Sequence, residues 1–290
     1  MNENRILAGL EPYHPLVLLA YYTVMIGTTL LCVHPVYVYC SLLGALVQAL
    51  AFSGRKALGP VLGLGLPLYM LTILLNPLLV HQGSTILFYI RYNPITWESC
   101  VFGFVFAGSL FAGVLWFYGC SRVMTGDKFL HILGGVMPTV ALMTTMMFRL
   151  LPQLTGRIAT IAEAQRGMGR GNTTIKNGTE ILSTAVTWAL EDAVTTADSM
   201  KARGYGSRRR TRFVLFRFGQ DDSRALAVVV ALAAVALWGA LNHGQILFYP
   251  GLEPVRWDGW AALHYGAFCL LGLLPTAAVA KEYAYWKSCE

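Results

Sequence analysis

The chain is short of charge. Only 13% of its 290 residues are Asp, Glu, Lys or Arg, while 56% are hydrophobic. That charge share is about half the usual value for soluble domains, too little to cover a water-exposed surface. The chain also lacks the groupings that common chemistries need. Its six cysteines (Cys32, Cys40, Cys100, Cys120, Cys269 and Cys289) are scattered without Cys-x-x-Cys spacing, mostly inside apolar runs. They read as small buried hydrophobes and exclude a disulfide frame or thiolate metal site. The six histidines never pair at ligand spacing, so nothing points to a metal centre. No convergent His, Asp or Glu set marks an integral membrane enzyme. A basic leader with a cleavage site is missing from the polar first dozen residues, so no removable signal peptide is expected.

What the chain has instead is a series of apolar runs of about 20 residues, the length of a membrane span. The first covers 16–33 and the second 36–52, parted only by His34 and Pro35, which predicts a tight helical hairpin. A third run covers 57–80, with Pro60 and Pro67 expected to bend it. The segment 81–99 is mixed, and Asn93-Pro94 predicts a turn within it. A fourth span covers 100–120, a fifth 224–241 and a sixth 260–280; between the last two, a tryptophan and a tyrosine suit an outer interface.

Charge orients these spans. About two-thirds of all Lys and Arg fall between Arg122 and Arg217, and such a block belongs on the cytoplasmic side. With both termini inside, Arg5, Arg55, Lys56, the block, Lys281 and Lys287 are internal, and only Arg91 and Arg256 lie outside. A basic patch otherwise suggests nucleic acid, but the apolar spans on both sides argue against it. The segment 129–151 is long and apolar enough to be one more crossing. A crossing there would put Arg55 and Lys56 outside, so a helix in or under the interface, or buried against the spans, is the favoured reading.

Within the basic block the pattern turns amphipathic. Pro152 is expected to kink the helix, and beyond it Leu154, Ile158, Ile161, Ala162 and Gln165 share a face while Arg157 and Glu163 lie off it. This helix ends in Gln165, Arg166, Gly167, Met168 and Gly169. A glycine-rich run placed after a helix is not a phosphate cradle. The next helix is expected to start at Thr179 as N-cap, with Glu180 in its first turn. Its apolar pairs Ile181-Leu182, Ala185-Val186, Ala189-Leu190 and Ala193-Val194 recur every four residues. Each such step drifts by about 40°, so the stripe slants and favours a crossed neighbour, near 50°. Glu191 and Asp192 are expected to face solvent.

That helix ends in Met200, Lys201, Ala202, Arg203, Gly204, Tyr205 and Gly206, followed by a basic tail. The glycines allow a left-handed exit. They leave Arg203 at the negative end of the helix dipole, able to grip a carboxylate with two bonds. Two helices on a short connector run roughly opposite ways, so their arginine-glycine ends sit at opposite tips. From Thr179 to Arg203 the helix is about 37 Å long. Such ends reach two separate partners and do not converge on one site. Arg149, in an apolar helix, either snorkels to the interface or pairs with a partner's acid.

The stretch from Met200 to Gly206, preceded by Ala197, Asp198 and Ser199 and trailed by Arg210 and Thr211, resembles the Ala-Arg-Gly signature of the transmembrane T component of energy-coupling-factor (ECF) transporters. These are ATP-driven vitamin and metal importers. Arg149 to Pro152, then Ala164-Gln165-Arg166, then Ala202-Arg203-Gly204 are similar to the family's order through its coupling region; the membrane spans match in kind only. The resemblance implies an all-α, polytopic membrane protein of about six transmembrane helices plus a cytoplasmic coupling region of crossed amphipathic helices. It divides the chain into spans 1–4 over 1–120, the coupling region over 121–222 and spans 5–6 over 223–290.

The resemblance further implies a non-catalytic scaffold in a bacterial inner membrane. It would join two ABC-type ATPases, which hold the ATP and magnesium, to one small substrate-binding membrane protein, and bind no cofactor itself. Ala202, Arg203, Gly204, Gln165, Arg166, Gly167, Met168 and Gly169 would couple to the ATPases, supported by Arg149, Pro152, Met200 and Tyr205. Where the family reads Ala-Gln-x-Ala-Arg-Gly, this chain runs from Ala164 to Gly169 with Met168 in the arginine's place. Arg166 or Arg170 would then supply the charge, Arg166 being favoured, which fits two non-identical ATPases. Two other readings stay open. A permease of a conventional ABC importer carries a Glu-Ala…Gly loop that Glu163-Ala164 echoes, and an integral membrane enzyme such as a lipid transferase is the third.

Overall fold

A computed structural model describes residues 13–53, 58–90, 93–169, 175–207, 216–243, 246, 248–254 and 257–288. The first twelve residues, Arg55, Lys56, Arg91, Arg170, the basic tail at 208–212, Arg256 and Cys289 lie outside them. The described residues form nine helices and one hairpin. In chain order these are α1 (Pro15–Leu31), α2 (Pro35–Ser53), α3 (Leu58–Leu79), β1 (Ile86–Ile90), β2 (Asn93–Thr96) and α4 (Trp97–Val123). Then follow α5 (Gly126–Val136), α6 (Pro138–Gly167), α7 (Ile175–Ala202), α8 (Gln220–His243) and α9 (Gly259–Ser288). They divide into two compact units, Asp127–Phe216 and the remainder.

The larger unit is a six-helix bundle whose directions follow from its pairings. On α2 and α4, Val38 meets Gly108 and Gln48 meets Gly119, so these helices run the same way. So do α2 and α9, where Tyr37 packs on Phe268 at 5.0 Å and Gly44 lies against Gly272. Opposed to them are α1, with Tyr22 beside Trp116 and Leu30 beside Gly113, and α3, with Tyr69 near Phe111 and Asn76 at Gly103. The start of α8 is tied to the start of α1, His14 N donating to Asp222 Oδ1 at 2.8 Å. The six helices therefore alternate in direction. The end of α4 and the start of α8, between which the smaller unit is spliced, share one end with His14. His34, the hairpin and Trp257 share the other.

Four helices (α2, α4, α8 and α9) contain stretches long and apolar enough to cross a membrane; α1 and the 65–79 part of α3 are equally apolar but shorter. The bundle buries small and polar groups between helices, as membrane packing requires. Thr29 and Ser41 share a hydrogen bond of 2.6 Å, Trp116 Nε1 donates to Ser41 Oγ at 2.8 Å, and Gln48 bonds Tyr22. A Cβ on Gly44 would come within 3.3 Å of the Gly272 backbone, so any larger residue would push the two helices apart here. Two His-Pro dipeptides start α1 and α2 alike. The Nδ1 atoms of His14 and His34 accept the N–H groups of Leu16 and Val36 at 3.2 Å, and proline fills the first helical position, where its missing donor costs nothing.

The structure corrects several expectations. The segment 129–151 is not one helix: α5 stops at Val136 and α6 starts at Pro138, with Met137 extended at φ −132° and ψ 80°. A residue before proline is disfavoured in helical geometry, and proline lacks the N–H that the hydrogen-bond ladder would use. Pro152, where a kink rather than a break is expected, lies inside α6, which continues to Gly167. Thr179 is not an N-cap, because α7 already begins at Ile175. Gly178 costs the helix about 1 kcal/mol, which its 28 residues absorb. The turn predicted at Asn93-Pro94 is instead the start of β2, with Pro94 opposite Tyr89 on an edge strand that tolerates proline.

Candidate functional site

The candidate residues lie in the smaller unit, at the ends of α6 and α7. On α7 they build a complete glycine cap. Arg203 is the capping residue, its N–H bonded to Ser199 O at 3.1 Å. Gly204 follows with φ +75°, donating to Lys201 O at 2.9 Å while Tyr205 N donates to Met200 O at 3.0 Å. These paired bonds define a Schellman turn, and the left-handed φ is why position 204 is glycine. In such turns the residues at the Met200 and Tyr205 positions frequently pack on one another. Met200 is half-buried; Ala202, Arg203, Gly204 and Tyr205 are exposed. Lys201 pairs with Asp198 at 3.8 Å in full solvent, which contributes little. Arg203 has no ion-pair partner among the described residues.

As far as the described residues go, to Gly169, the end of α6 repeats the first bonds of this geometry. Met168 is the capping residue and donates to Ala164 O at 3.2 Å; Gly169, with φ +79°, donates to Arg166 O at 3.0 Å. Position by position, Gln165 therefore stands where Met200 does, Arg166 where Lys201 does, Gly167 where Ala202 does, and Met168 where Arg203 does. Met168 and Arg203 thus occupy the same cap position on their helices. The residue matching Arg203 is an exposed methionine, and Arg166 points about 200° away from it around the helix. Gln165 is half-buried, with a buried Oε1 that has no hydrogen-bond partner. Arg149 and Pro152 are exposed on α6, more than four turns before its cap.

The two ends are held apart. Helices α6 and α7 touch where the Arg157 guanidinium lies 4.8 Å from the Trp188 ring centre, a stacking that the sequence reading missed. From there Met168 lies about 16 Å along α6, Arg203 about 22 Å along α7, and the start of α7 about 20 Å in the reverse direction, at 1.5 Å per residue. The chain from 168 to 175 can span at most about 25 Å. That reach forces an angle above about 95° between the two helix directions, and so places the caps at least about 28 Å apart. No single pocket can include both.

The stripe predicted on α6 is its inner face: Leu154, Ile158, Ile161, Ala162 and Gln165 are all half-buried, while Arg157 and Glu163 are exposed. On α7 the apolar pairs split. Ile181, Ala185 and Ala189 face inward, whereas Leu182, Val186, Leu190 and Val194 form an exposed row. By Ala193 the four-residue drift has carried even the inner row outward, and Asp192, Thr196 and Met200 take over the inner face. Asp192 thus corrects the expectation of a solvated pair; Glu191 alone is exposed. No protein-family model matches the chain, and no curated protein matches its sequence.

Proposed function

We propose that this chain is the T component of an ECF-type importer of vitamins or other micronutrients. In this reading it is a non-catalytic scaffold that joins two ABC-type ATPases to one small substrate-binding membrane protein. The observation that carries the reading is the pair of equivalent glycine-capped helix ends, fixed at least about 28 Å apart on one crossed pair, each presenting one exposed capping side chain. A catalytic site needs convergent groups; this geometry serves two docking partners. The resemblance around Arg203 supports the same assignment.

The proposed topology has six crossings, α1 to α4, α8 and α9, in a bacterial inner membrane with both termini cytoplasmic. Alternation of the six helices supports it, because it brings the splice points of the smaller unit to one end. The motor is the ATPase dimer, which binds ATP and magnesium; this chain binds neither. Arg203, gripped by an ATPase carboxylate, would carry the opening and closing motion into α7. The exposed Leu182–Val194 row would pass it to the substrate-binding protein. Met168 would dock the second ATPase through apolar contact, with Arg166 directed elsewhere, so the two ATPases would differ.

The test is purification of the whole complex in mild detergent. Two ATPases and a small hydrophobic protein should accompany the wild-type chain. Arg203→Glu should cut ATPase recovery at least tenfold while membrane insertion is unchanged, since the lost charge-assisted bond is worth about 1.5–3 kcal/mol. Normal ATPase recovery and uptake with Arg203→Glu would reject the docking role. Uptake without any separate binding protein would favour a conventional permease.

A further inference from the structure

Between α3 and α4 the chain makes a hairpin whose exterior does not suit water. Successive side chains of a strand point to opposite faces, and Ile86, Leu87, Phe88 and Tyr89 of β1 are all about half or more exposed. Both faces are therefore apolar. A two-stranded hairpin is marginal by itself, yet this one is clamped at its base. The buried Glu98 carboxylate accepts hydrogen bonds from Ser84 Oγ (3.0 Å), Thr85 Oγ1 (2.6 Å) and Thr85 N (3.2 Å). Thr85 O in turn accepts the N–H of Trp97, and Ser84 N donates to Pro250 O, both at 3.0 Å. The hairpin is thus held out from the bundle by fixed bonds, with Ile95 and Thr96 buried at its root.

We infer that this hairpin is an interfacial anchor, lying in the lipid head-group region at the His34 end of the bundle with Leu87, Phe88 and Tyr89 against lipid. Three observations select lipid over a protein surface. Both faces are exposed, and a fluid occupant can cover both where one protein face covers one. Trp97, Trp257 and Trp260, at the same end, are each more than half exposed, and exposed tryptophans at one level mark a membrane–water boundary. The open strand edges need donors and acceptors, which head groups and water supply and hydrocarbon does not. This inference needs only that the bundle crosses a membrane, so it stands or falls separately from the proposed transport role.

The experiment is photocrosslinking of the full-length protein in cell membranes, with p-benzoylphenylalanine replacing Phe88 in one variant and Tyr89 in another. Intact mass after irradiation should show phospholipid adducts in both, several-fold above any protein adduct. A dominant adduct with a membrane protein would overturn the inference in favour of a protein interface. Absence of any adduct, meaning the probe faces water, would overturn it outright. The variants' elution as folded protein in detergent, checked first, makes every one of these outcomes decisive.

Discussion

In the bundle, Tyr22, Tyr37, Trp116 and Phe268 are at most 2% exposed, whereas on α7 Leu182, Leu190 and Val194 are more than half exposed. Both units leave apolar side chains outside, but for different reasons. Four of the bundle helices are long and apolar enough to cross a membrane, and apolar outer faces of this kind suit lipid. The α6–α7 pair is amphipathic, and its outer row stands among polar neighbours such as Glu191 and Thr195. Bundle stability is therefore a matter of fit between its own helices. The outer row of the pair is uncovered by the described residues of its own unit, and its integrity rests on its inner face, its caps and the crossing. Substitutions should separate these two regimes.

The largest effect is expected where two bundle backbones touch. Gly44→Leu places a branched side chain where even its Cβ would stand 3.3 Å from the Gly272 backbone, which cannot swing aside as a side chain can. The cost exceeds the 1–3 kcal/mol of ordinary overpacking, so size-exclusion of detergent-solubilised protein should show loss of the folded monomer. Cys40 and Cys269, which face one another beside this crossing, offer a check on the wild type. Mild iodine should join them into an intramolecular disulfide, and failure to do so would contradict the parallel packing of α2 and α9.

Acid should weaken the bundle next. Burial holds the His34 imidazole down at about 4, below its ordinary 6.5; within the bundle its Nδ1 accepts from the Val36 N–H and its Nε2 pairs with the Tyr265 hydroxyl at 3.1 Å. The unfolded chain then takes up a proton that the folded chain refuses. Stability is full above about pH 6.5 and falls as pH drops towards 4. His34→Asn keeps an acceptor for the Val36 N–H without titrating. The thermal midpoint of wild type should fall faster than that of His34→Asn across this window, and equal slopes would exclude His34 as the cause.

How much of this was legible beforehand follows from how local each feature is. The helices of the bundle and the glycine-capped ends are local: apolar length predicts the first, and glycine chemistry the second, down to Met168 in the cap position. The break at Pro138 was equally local and was passed over because the apolar run continues through it. The hairpin was hidden because Ile86 to Tyr89 is exposed on both faces, so no alternation of polar and apolar residues announces a strand. The Glu98 clamp joins residues 13 and 14 apart and leaves no pattern. Asp192 was misplaced because the drift of a four-residue repeat moves the inner face along the helix, which only the position of the crossing fixes.

Caps should matter less than the bundle crossing and should do so locally. Gly204→Val and Gly169→Val each force a β-branched residue to a φ near +75° to +79°, costing about 1–2 kcal/mol. Amide exchange at Tyr205 should speed roughly tenfold with Gly204→Val, while the bundle amides stay unchanged. A global loss of protection would mean the two units do not fold separately.

The smallest effect, and the one that most sharpens the contrast, lies at the helix crossing. Arg157 over Trp188 is a partly exposed cation–π contact, worth about 0.5–1 kcal/mol. A double-mutant cycle with Arg157→Ala and Trp188→Ala, read by amide exchange within α7, should give a coupling of that size. Arg157→Lys should recover only part of it, because the flat guanidinium stacks on the ring and a point charge does not. Since that contact sits between the two caps, its loss should loosen their separation without altering either cap. Distances measured by paired spin labels at Thr195 on α7 and Thr160 on α6 should therefore broaden in the double mutant. An unchanged distribution would mean that the buried Ala185 and its inner-face neighbours fix the crossing alone.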